Sequence, residues 1–176
     1  MRLIKCLIYW AILGVSSFLI GRFLPKTWFH SDRFPYKTYA WEKNGTIYNK
    51  IYIRKWQNLV PDMSKVFPNM IPEKKMTANY RQDLPLMIQE TCIAELVHFI
   101  LCFAGLYCLH LWPGFGGILL TILYIVLGNI PYILIQRYNR PRLSRLQTKV
   151  SKNKPEKEKE SNYGNVDINV QYRSGT

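Results

Sequence analysis

Four residues that could take part in chemistry lie on one face of a predicted helix, near the start of an apolar stretch. At about 100° per residue, the side chains of Thr91, Glu95, His98 and Cys102 point within about 60° of one another. Glu95 and His98 are about one turn apart and can pair. A histidine in this arrangement can act as a general base, with the carboxylate orienting its ring. The same pattern is also typical of a structural polar clamp between two membrane helices.

A second polar face lies in a later apolar stretch. It consists of residues at the helical spacing i, i+3, i+7 and i+11, namely Asn129, Tyr132, Gln136 and Arg140. Pro131 should bend this helix, because it has no backbone N–H. The stretch ends in Arg137, Arg140 and Arg142, and planar guanidinium groups bind phosphates through paired hydrogen bonds. These residue types are therefore compatible with a polar site that has positively charged side chains next to it.

Three apolar stretches would position these residues. They are Leu3–Leu24, Ile93–Trp112 and Phe115–Ile135. Each has the ~20 residues that a helix needs to cross a bilayer. The turn Trp112–Gly117 is rich in Pro and Gly and predicts an antiparallel hairpin of the last two. We therefore expect Glu95 and His98 to lie at a depth similar to that of residues 129–136.

The first apolar stretch allows two interpretations. Arg2 and Lys5 followed by an apolar run are also typical of a signal peptide. The run is longer than a usual signal-peptide core, and no A-x-A-like cleavage site follows it, which favours a retained transmembrane helix.

The distribution of Lys and Arg predicts the orientation. Three precede Pro25, eleven lie between Pro25 and Cys92, and ten follow Ile135. The positive-inside rule therefore places the central segment and the tail in the cytoplasm, with the hairpin turn and the amino terminus outside. The sequence predicts a mainly α protein of the bacterial cytoplasmic membrane in four parts: an amino-terminal transmembrane or signal-like helix at 1–25, a cytoplasmic interfacial segment at 26–92, a hairpin with a basic exit at 93–146, and a disordered charged tail at 147–176.

Composition limits the partners and cofactors. The net charge is +13, which favours an anionic partner. No nucleic-acid-binding motif accompanies it, so anionic membrane lipid is the expected partner and nucleic acid is not. The four cysteines form no metal-binding motif, and we expect no metal and no cofactor. Because most of them lie in or beside apolar stretches, we expect them to be reduced.

The central segment combines aromatic and basic residues, namely Trp41, Arg54, Lys55 and Trp56. Residues 41–45 predict a turn. The residues after it, read as a helix, have an apolar flank formed by Ile47, Ile51 and Leu59, which predicts a helix lying in the membrane interface. The alternating pattern Ile51-Tyr52-Ile53 is also compatible with a short strand. Pro68, Pro72 and Pro85 predict an irregular loop after it.

Three stretches carry a resemblance to a known family. They are Trp41-Glu42-Lys43-x-Gly45 with Arg54-Lys55-Trp56, then Glu90-Thr91-x-x-Ala94-Glu95-Leu96-x-His98, and Pro131 with Gln136-Arg137-Tyr138-Asn139-Arg140-Pro141-Arg142-Leu143. In these the chain resembles the glycosyl-4,4'-diaponeurosporenoate acyltransferase family, membrane enzymes of staphyloxanthin-type carotenoid biosynthesis. The resemblance implies transfer of a fatty acyl group to a glucose hydroxyl of a lipid-soluble carotenoid glycoside.

From the residues themselves we predict that His98 is the general base and that Glu95 orients and stabilises its imidazolium. Asn129 or Gln136 donates to the developing oxyanion. The three arginines bind the phosphates of an acyl-CoA or acyl-carrier-protein donor, and the interfacial Trp41–Trp56 region covers the site.

The sequence leaves an alternative function open. It has neither a G-x-S-x-G elbow nor an H-x-x-x-x-D acyltransferase motif. The alternative is a non-enzymatic scaffold or accessory subunit that binds lipid or other pathway enzymes, with Glu95 and His98 as a structural clamp.

Overall fold

The fold consists of helices joined by short turns. The structure, a computed structural model, describes the backbone of residues 1–60 and 80–173 and the side chains of residues 1–60 and 83–152. Within these residues there is no β-strand. The α-helices are α1 (Arg2–Phe23), α2 (Ile53–Trp56), α3 (Tyr80–Gly105), α4 (Cys108–Leu111), α5 (Phe115–Leu123) and α6 (Ile130–Arg173). Tighter 3₁₀ turns occupy Lys26–Trp28, Ala40–Ile51 and Gln57–Leu59, and a π-helical segment occupies Tyr124–Asn129.

Three helical stretches are long and apolar enough to cross a membrane: Arg2–Phe23, Asp83–Leu111 and Phe115–Lys152. Many large apolar side chains on them are exposed, including Ile12, Phe103 and Leu127. A surface of this kind suits lipid, because hydrocarbon tails accept apolar side chains that water would reject. The predicted mainly α membrane fold with three spans is confirmed.

Helix α1 lies antiparallel along α3. Near its amino end Cys6 forms a disulfide with Cys108, and the two Cα atoms are 5.6 Å apart. Near its carboxyl end Gly21 lies against Val97, and a Cβ atom at Gly21 would be only 3.3 Å from the Val97 Cγ2 atom. The amino terminus and the hairpin turn therefore lie at one end of the bundle, as the charge distribution predicts.

The disulfide corrects our expectation of four reduced cysteines. Cys6 and Cys108 are 102 residues apart in sequence, and only the packing of α1 on the hairpin brings their backbones within bonding range. Cys92 and Cys102 are free, in agreement with the expectation.

The antiparallel hairpin is confirmed, but its helices begin and end at different residues from those expected. The long helix α3 already begins at Tyr80 and ends at Gly105, where a Cβ atom would come within 2.6 Å of the Tyr124 ring. Pro85 lies inside α3 and not in a loop. A proline so close to a helix start removes at most one hydrogen bond, which α3 can tolerate. Pro68 and Pro72 lie outside the described residues.

The bend expected at Pro131 takes the form of the π-helical segment Tyr124–Asn129 just before it. Because Pro131 cannot donate to the carbonyl one turn earlier, the backbone widens there to i→i+5 hydrogen bonds. The widening is supported by the Asn129 side-chain amide, which donates to the Tyr124 carbonyl at 3.0 Å.

The interfacial segment contains the turn predicted at residues 41–45, but the helix predicted after that turn is interrupted at Tyr52. Lys43, Asn44 and Gly45 adopt left-handed conformations, and so does Tyr52, so the backbone turns twice within residues 40–56. The folded-back segment packs against α6 through a buried cluster of Tyr48, Ile53 and Tyr138. The local sequence predicts the turn at residues 41–45. It does not reveal the second turn, because that turn depends on packing against α6.

The backbone of α6 is helical through Arg173. Lys and Glu are frequent at residues 152–160, and both have high intrinsic helix propensity, which favours continuing a helix that has already been nucleated. The disorder predicted for residues 147–176 stays a prediction.

Candidate active site

Two polar clusters lie between α3 and α6, one deeper in the bundle than the other. The outer one is an ion network around Glu95. Its Oε1 atom accepts from Arg137 Nε at 2.9 Å, and its Oε2 atom accepts from Arg140 Nη2 at 2.5 Å. Arg137 also donates to Glu42 Oε1 at 2.8 Å. Two carboxylates thus neutralise two guanidinium groups between α3, α6 and the turn that begins at Ala40.

Backbone and hydroxyl oxygens complete the arginine contacts. Arg140 donates to the Tyr36 carbonyl at 2.8 Å and to the Thr91 hydroxyl at 3.0 Å, and Arg137 donates to the Pro35 carbonyl at 2.8 Å. Arg140 is only 2% exposed. Its charge is already compensated and its donors are occupied, so a buried network of this kind holds elements together.

This geometry corrects two predicted roles. Arg137 and Arg140 were predicted to bind donor phosphates, but their guanidinium groups are bound to Glu42 and Glu95. Glu95 was predicted to support His98, but both of its carboxylate oxygens accept from the arginines. A guanidinium group carries a full positive charge and can donate more hydrogen bonds to a carboxylate than a neighbouring imidazole can. The i, i+3 spacing of Glu95 and His98 is therefore outweighed by the tertiary partners.

Glu42 belongs to this buried network, although the sequence did not single it out as a site residue. It is 1% exposed, and it accepts from the Tyr39 backbone N–H at 2.7 Å and from the Tyr48 hydroxyl at 2.5 Å. Burial, followed by the hydrogen bond to Glu42, raises the pKa of Tyr48 above its usual range, so this hydroxyl stays a donor. Glu42 lies in the Trp41-Glu42-Lys43 stretch that carries the family resemblance, but the partner of Glu42, Arg137, is 95 residues away in sequence.

The inner cluster contains His98 and Asn129. The His98 Nδ1 atom lies 3.1 Å from Asn129 Oδ1, and the His98 ring stacks on the Tyr132 ring with centroids 4.3 Å apart. Because the Asn129 amide nitrogen donates to the Tyr124 carbonyl, its oxygen is the atom that faces His98. The Nδ1 atom must then carry the proton, which leaves Nε2 as the basic nitrogen.

The expected juxtaposition of the two polar faces is therefore confirmed, with Asn129 in the place where Glu95 was predicted. Asn129 is 1% exposed and uses both ends of its amide. Its amide nitrogen has a second N–H, so the oxyanion role predicted for Asn129 or Gln136 stays a prediction. Gln136 is half-buried on α6.

The remaining predicted residues lie toward the surface. Arg142 is exposed, and its guanidinium group lies 4.4 Å from the centre of the Tyr138 ring. Trp41, Arg54 and Lys55 are exposed, and Trp56 donates from its indole nitrogen to the Ile51 carbonyl at 2.9 Å. The interfacial region packs on α6 next to the outer network, and its position over His98 stays a prediction. Among the described side chains, no group of three His, Cys, Asp or Glu residues could hold a metal ion.

Comparison with known proteins agrees with these features. The family model for glycosyl-4,4'-diaponeurosporenoate acyltransferase matches residues 25–149. A protein of that name from Staphylococcus aureus (strain MRSA252) is 31% identical over 142 residues, which cover 80% of this chain and 85% of the relative. The protein of the same name from the bovine strain RF122 / ET3-1 is 30% identical over the same coverage. No solved structure matches the chain. The matched range includes both polar clusters, and the chain belongs to the glycosyl-4,4'-diaponeurosporenoate acyltransferase family.

Proposed function

We propose that this acyltransferase esterifies a sugar hydroxyl of a lipid-soluble glycoside with a fatty acyl group at the cytoplasmic face of the membrane. The relatives' name supports a glycoside of 4,4'-diaponeurosporenoate as the acceptor. The observation that carries the mechanism is the His98–Asn129 pair, with its basic Nε2 atom between two transmembrane helices. An acceptor dissolved in lipid and a donor from the cytosol can meet only near the membrane surface.

In the proposed reaction, His98 Nε2 takes the proton of the sugar hydroxyl as the hydroxyl oxygen attacks the thioester carbonyl carbon of the donor. The carbon–sulfur bond then breaks, and the leaving thiolate takes the proton from the imidazolium. Asn129 holds the ring in the reactive tautomer, which is the role that we first gave to Glu95. Gln136, or the second N–H of the Asn129 amide, donates to the developing oxyanion.

The donor is acyl-CoA or acyl-carrier protein, and we assign its anionic contact to Arg142. This arginine is exposed two residues beyond Arg140, whereas Arg137 and Arg140 are bound to carboxylates. The scaffold alternative accounts for the Glu95 network, which is a structural clamp, but it gives no role to the oriented imidazole of His98.

Expression in a host that makes the carotenoid glucoside tests this function. We expect lipid extracts to contain a new species that is heavier by one fatty acyl group, and cells with the His98→Gln variant to lack it. A well-expressed wild-type chain that leaves the glucoside unmodified would favour the scaffold function.

Replacement of Asn129 tests its positioning role. We expect Asn129→Leu to lower kcat by about 10- to 100-fold with little change in KM, because a misoriented base loses its alignment with the hydroxyl. Asn129→Asp keeps an acceptor for His98 Nδ1–H but loses the donor to the Tyr124 carbonyl. It should retain most of the activity, as measured by initial rates in membranes. Equal losses in the two variants would mean that Asn129 only supports the π-helical segment.

Removal of the Arg142 charge tests the donor contact. We expect Arg142→Gln to raise KM for the donor by about fivefold, since one exposed charge contact is worth about 1 kcal/mol. The rise should shrink with added salt, and kcat should stay unchanged. Arg54→Gln, another exposed arginine, is the matched control. The assignment fails if both variants change KM equally.

A further inference from the structure

The end of the bundle away from the proposed active site carries a feature that the acyl-transfer chemistry does not use. Cys6 and Cys108 are both fully buried and form the disulfide between α1 and α4. The Tyr9 hydroxyl donates to the Ala104 carbonyl at 2.8 Å just below it. The cysteines therefore lie within a packed contact of two spanning segments, at the level of the hairpin turn.

A second contact layer lies below the disulfide. The Trp10 and Tyr124 rings stack with centroids 4.2 Å apart and planes 12° from parallel. Tyr124 also packs closely on Gly105 of α3. The amino-terminal half of α1 is thus held against both helices of the hairpin, through contacts that do not depend on the disulfide.

Charge gives the side of the membrane on which this end lies. Ten Lys and Arg residues follow Ile135 and eleven lie between Pro25 and Cys92, against three in the first helix. Positive segments are retained in the cytoplasm, so the opposite end, with Cys6 and Cys108, faces outward. Disulfides persist on the outer side of a bacterial membrane and are reduced in the cytosol. The charge distribution and the cysteine pair thus independently indicate the same orientation.

We propose that Cys6 and Cys108 are oxidised on the outer side of the membrane and staple α1 to the hairpin as a permanent part of the mature protein. Two thiols lose two protons and two electrons to an extracytoplasmic disulfide donor of the thiol oxidoreductase class, which is reduced to its dithiol. The staple closes a loop of 102 residues between the outer ends of the spans. The amino-terminal helix is then a structural component and not a removable signal.

Counting thiols on the wild-type protein tests the staple directly. Membranes are denatured in detergent that already contains a polymer-tagged maleimide, with or without prior reduction, and the maleimide reports each reactive thiol as a step in gel mobility. Of the four cysteines, we expect two to react before reduction and four after it. The Cys6→Ser variant should show three before and three after. Four reactive thiols before reduction, or only three after reduction of the wild type, would overturn the proposal.

Orientation is tested separately from oxidation. In a variant with all four cysteines replaced by serine, Phe115→Cys reports the hairpin turn and Ser151→Cys reports the opposite end; both positions are exposed. A membrane-impermeant maleimide should label Phe115→Cys in intact cells and Ser151→Cys only after lysis. Labelling in the reverse order would place the cysteine pair in the reducing cytosol and overturn the proposal. Denatured total labelling of both variants confirms equal expression.

Discussion

Replacing Glu95 with glutamine should unfold much of the protein in the membrane. The Glu95 carboxylate lies between two guanidinium groups, and the Arg140 side chain is only 3% exposed. Removing one partner of a buried ion pair costs about 3–5 kcal/mol, because the remaining charge stays buried without compensation. Such a loss is a large part of the stability of a typical domain. We expect a clearly lower melting temperature in detergent and faster proteolysis.

The same helix provides a matched control for this variant. Glu90 forms an ion pair with Lys26 at 2.9 Å, but the side chains are 26% and 37% exposed, respectively. Glu90→Gln should therefore cost less than about 1 kcal/mol. A double variant, Glu95→Leu with Arg140→Leu, removes opposite charges together and should be more stable than the sum of the single changes predicts. A Glu95→Gln protein as stable as the Glu90→Gln protein would contradict the network.

Replacing His98 with glutamine should abolish most of the activity while leaving the protein folded. Glutamine can still donate a hydrogen bond to Asn129, but it cannot take a proton from a hydroxyl. Loss of a general base typically lowers kcat by about 100-fold or more. Initial rates of acyl transfer, normalised to the amount of folded protein, measure the effect.

The control for His98 is the histidine at the other end of the same span. His110 is exposed in α4 and packs on the Tyr107 ring with centroids 5.5 Å apart. His110→Gln should leave the rate unchanged. If His98→Gln retains a near-normal rate, the base is another group. If it instead loses stability as Glu95→Gln does, His98 belongs to the structural clamp.

The sequence revealed the two faces because helical geometry alone determines them. Residues at i, i+3 and i+7 share a side, and a turn of few residues forces an antiparallel hairpin. The depth match between His98 and Asn129 follows from these two facts. Three apolar spans and the basic exit were also predictable, because they depend on composition and length.

Which polar groups pair with each other could not be predicted in the same way. Glu95 has a local partner in His98 and distant partners in Arg137 and Arg140, and the stronger distant contacts prevail. Glu42 comes from a segment whose fold depends on left-handed residues at 43–45 and on packing against α6. Competition between local and tertiary contacts is decided by packing, which one sequence does not display.

In the proposed reaction, an imidazole base in this bundle activates the hydroxyl of a membrane-dissolved sugar for direct acyl transfer from the donor. The most direct measurement is acyl transfer by the purified chain in vesicles that contain the carotenoid glucoside, with radiolabelled acyl-CoA or acyl-carrier protein outside. We predict that the label moves to the glucoside with at least one of the two donors, and that the His98→Gln protein does so about 100-fold more slowly. A folded wild-type protein that leaves the glucoside unlabelled with both donors would contradict the account.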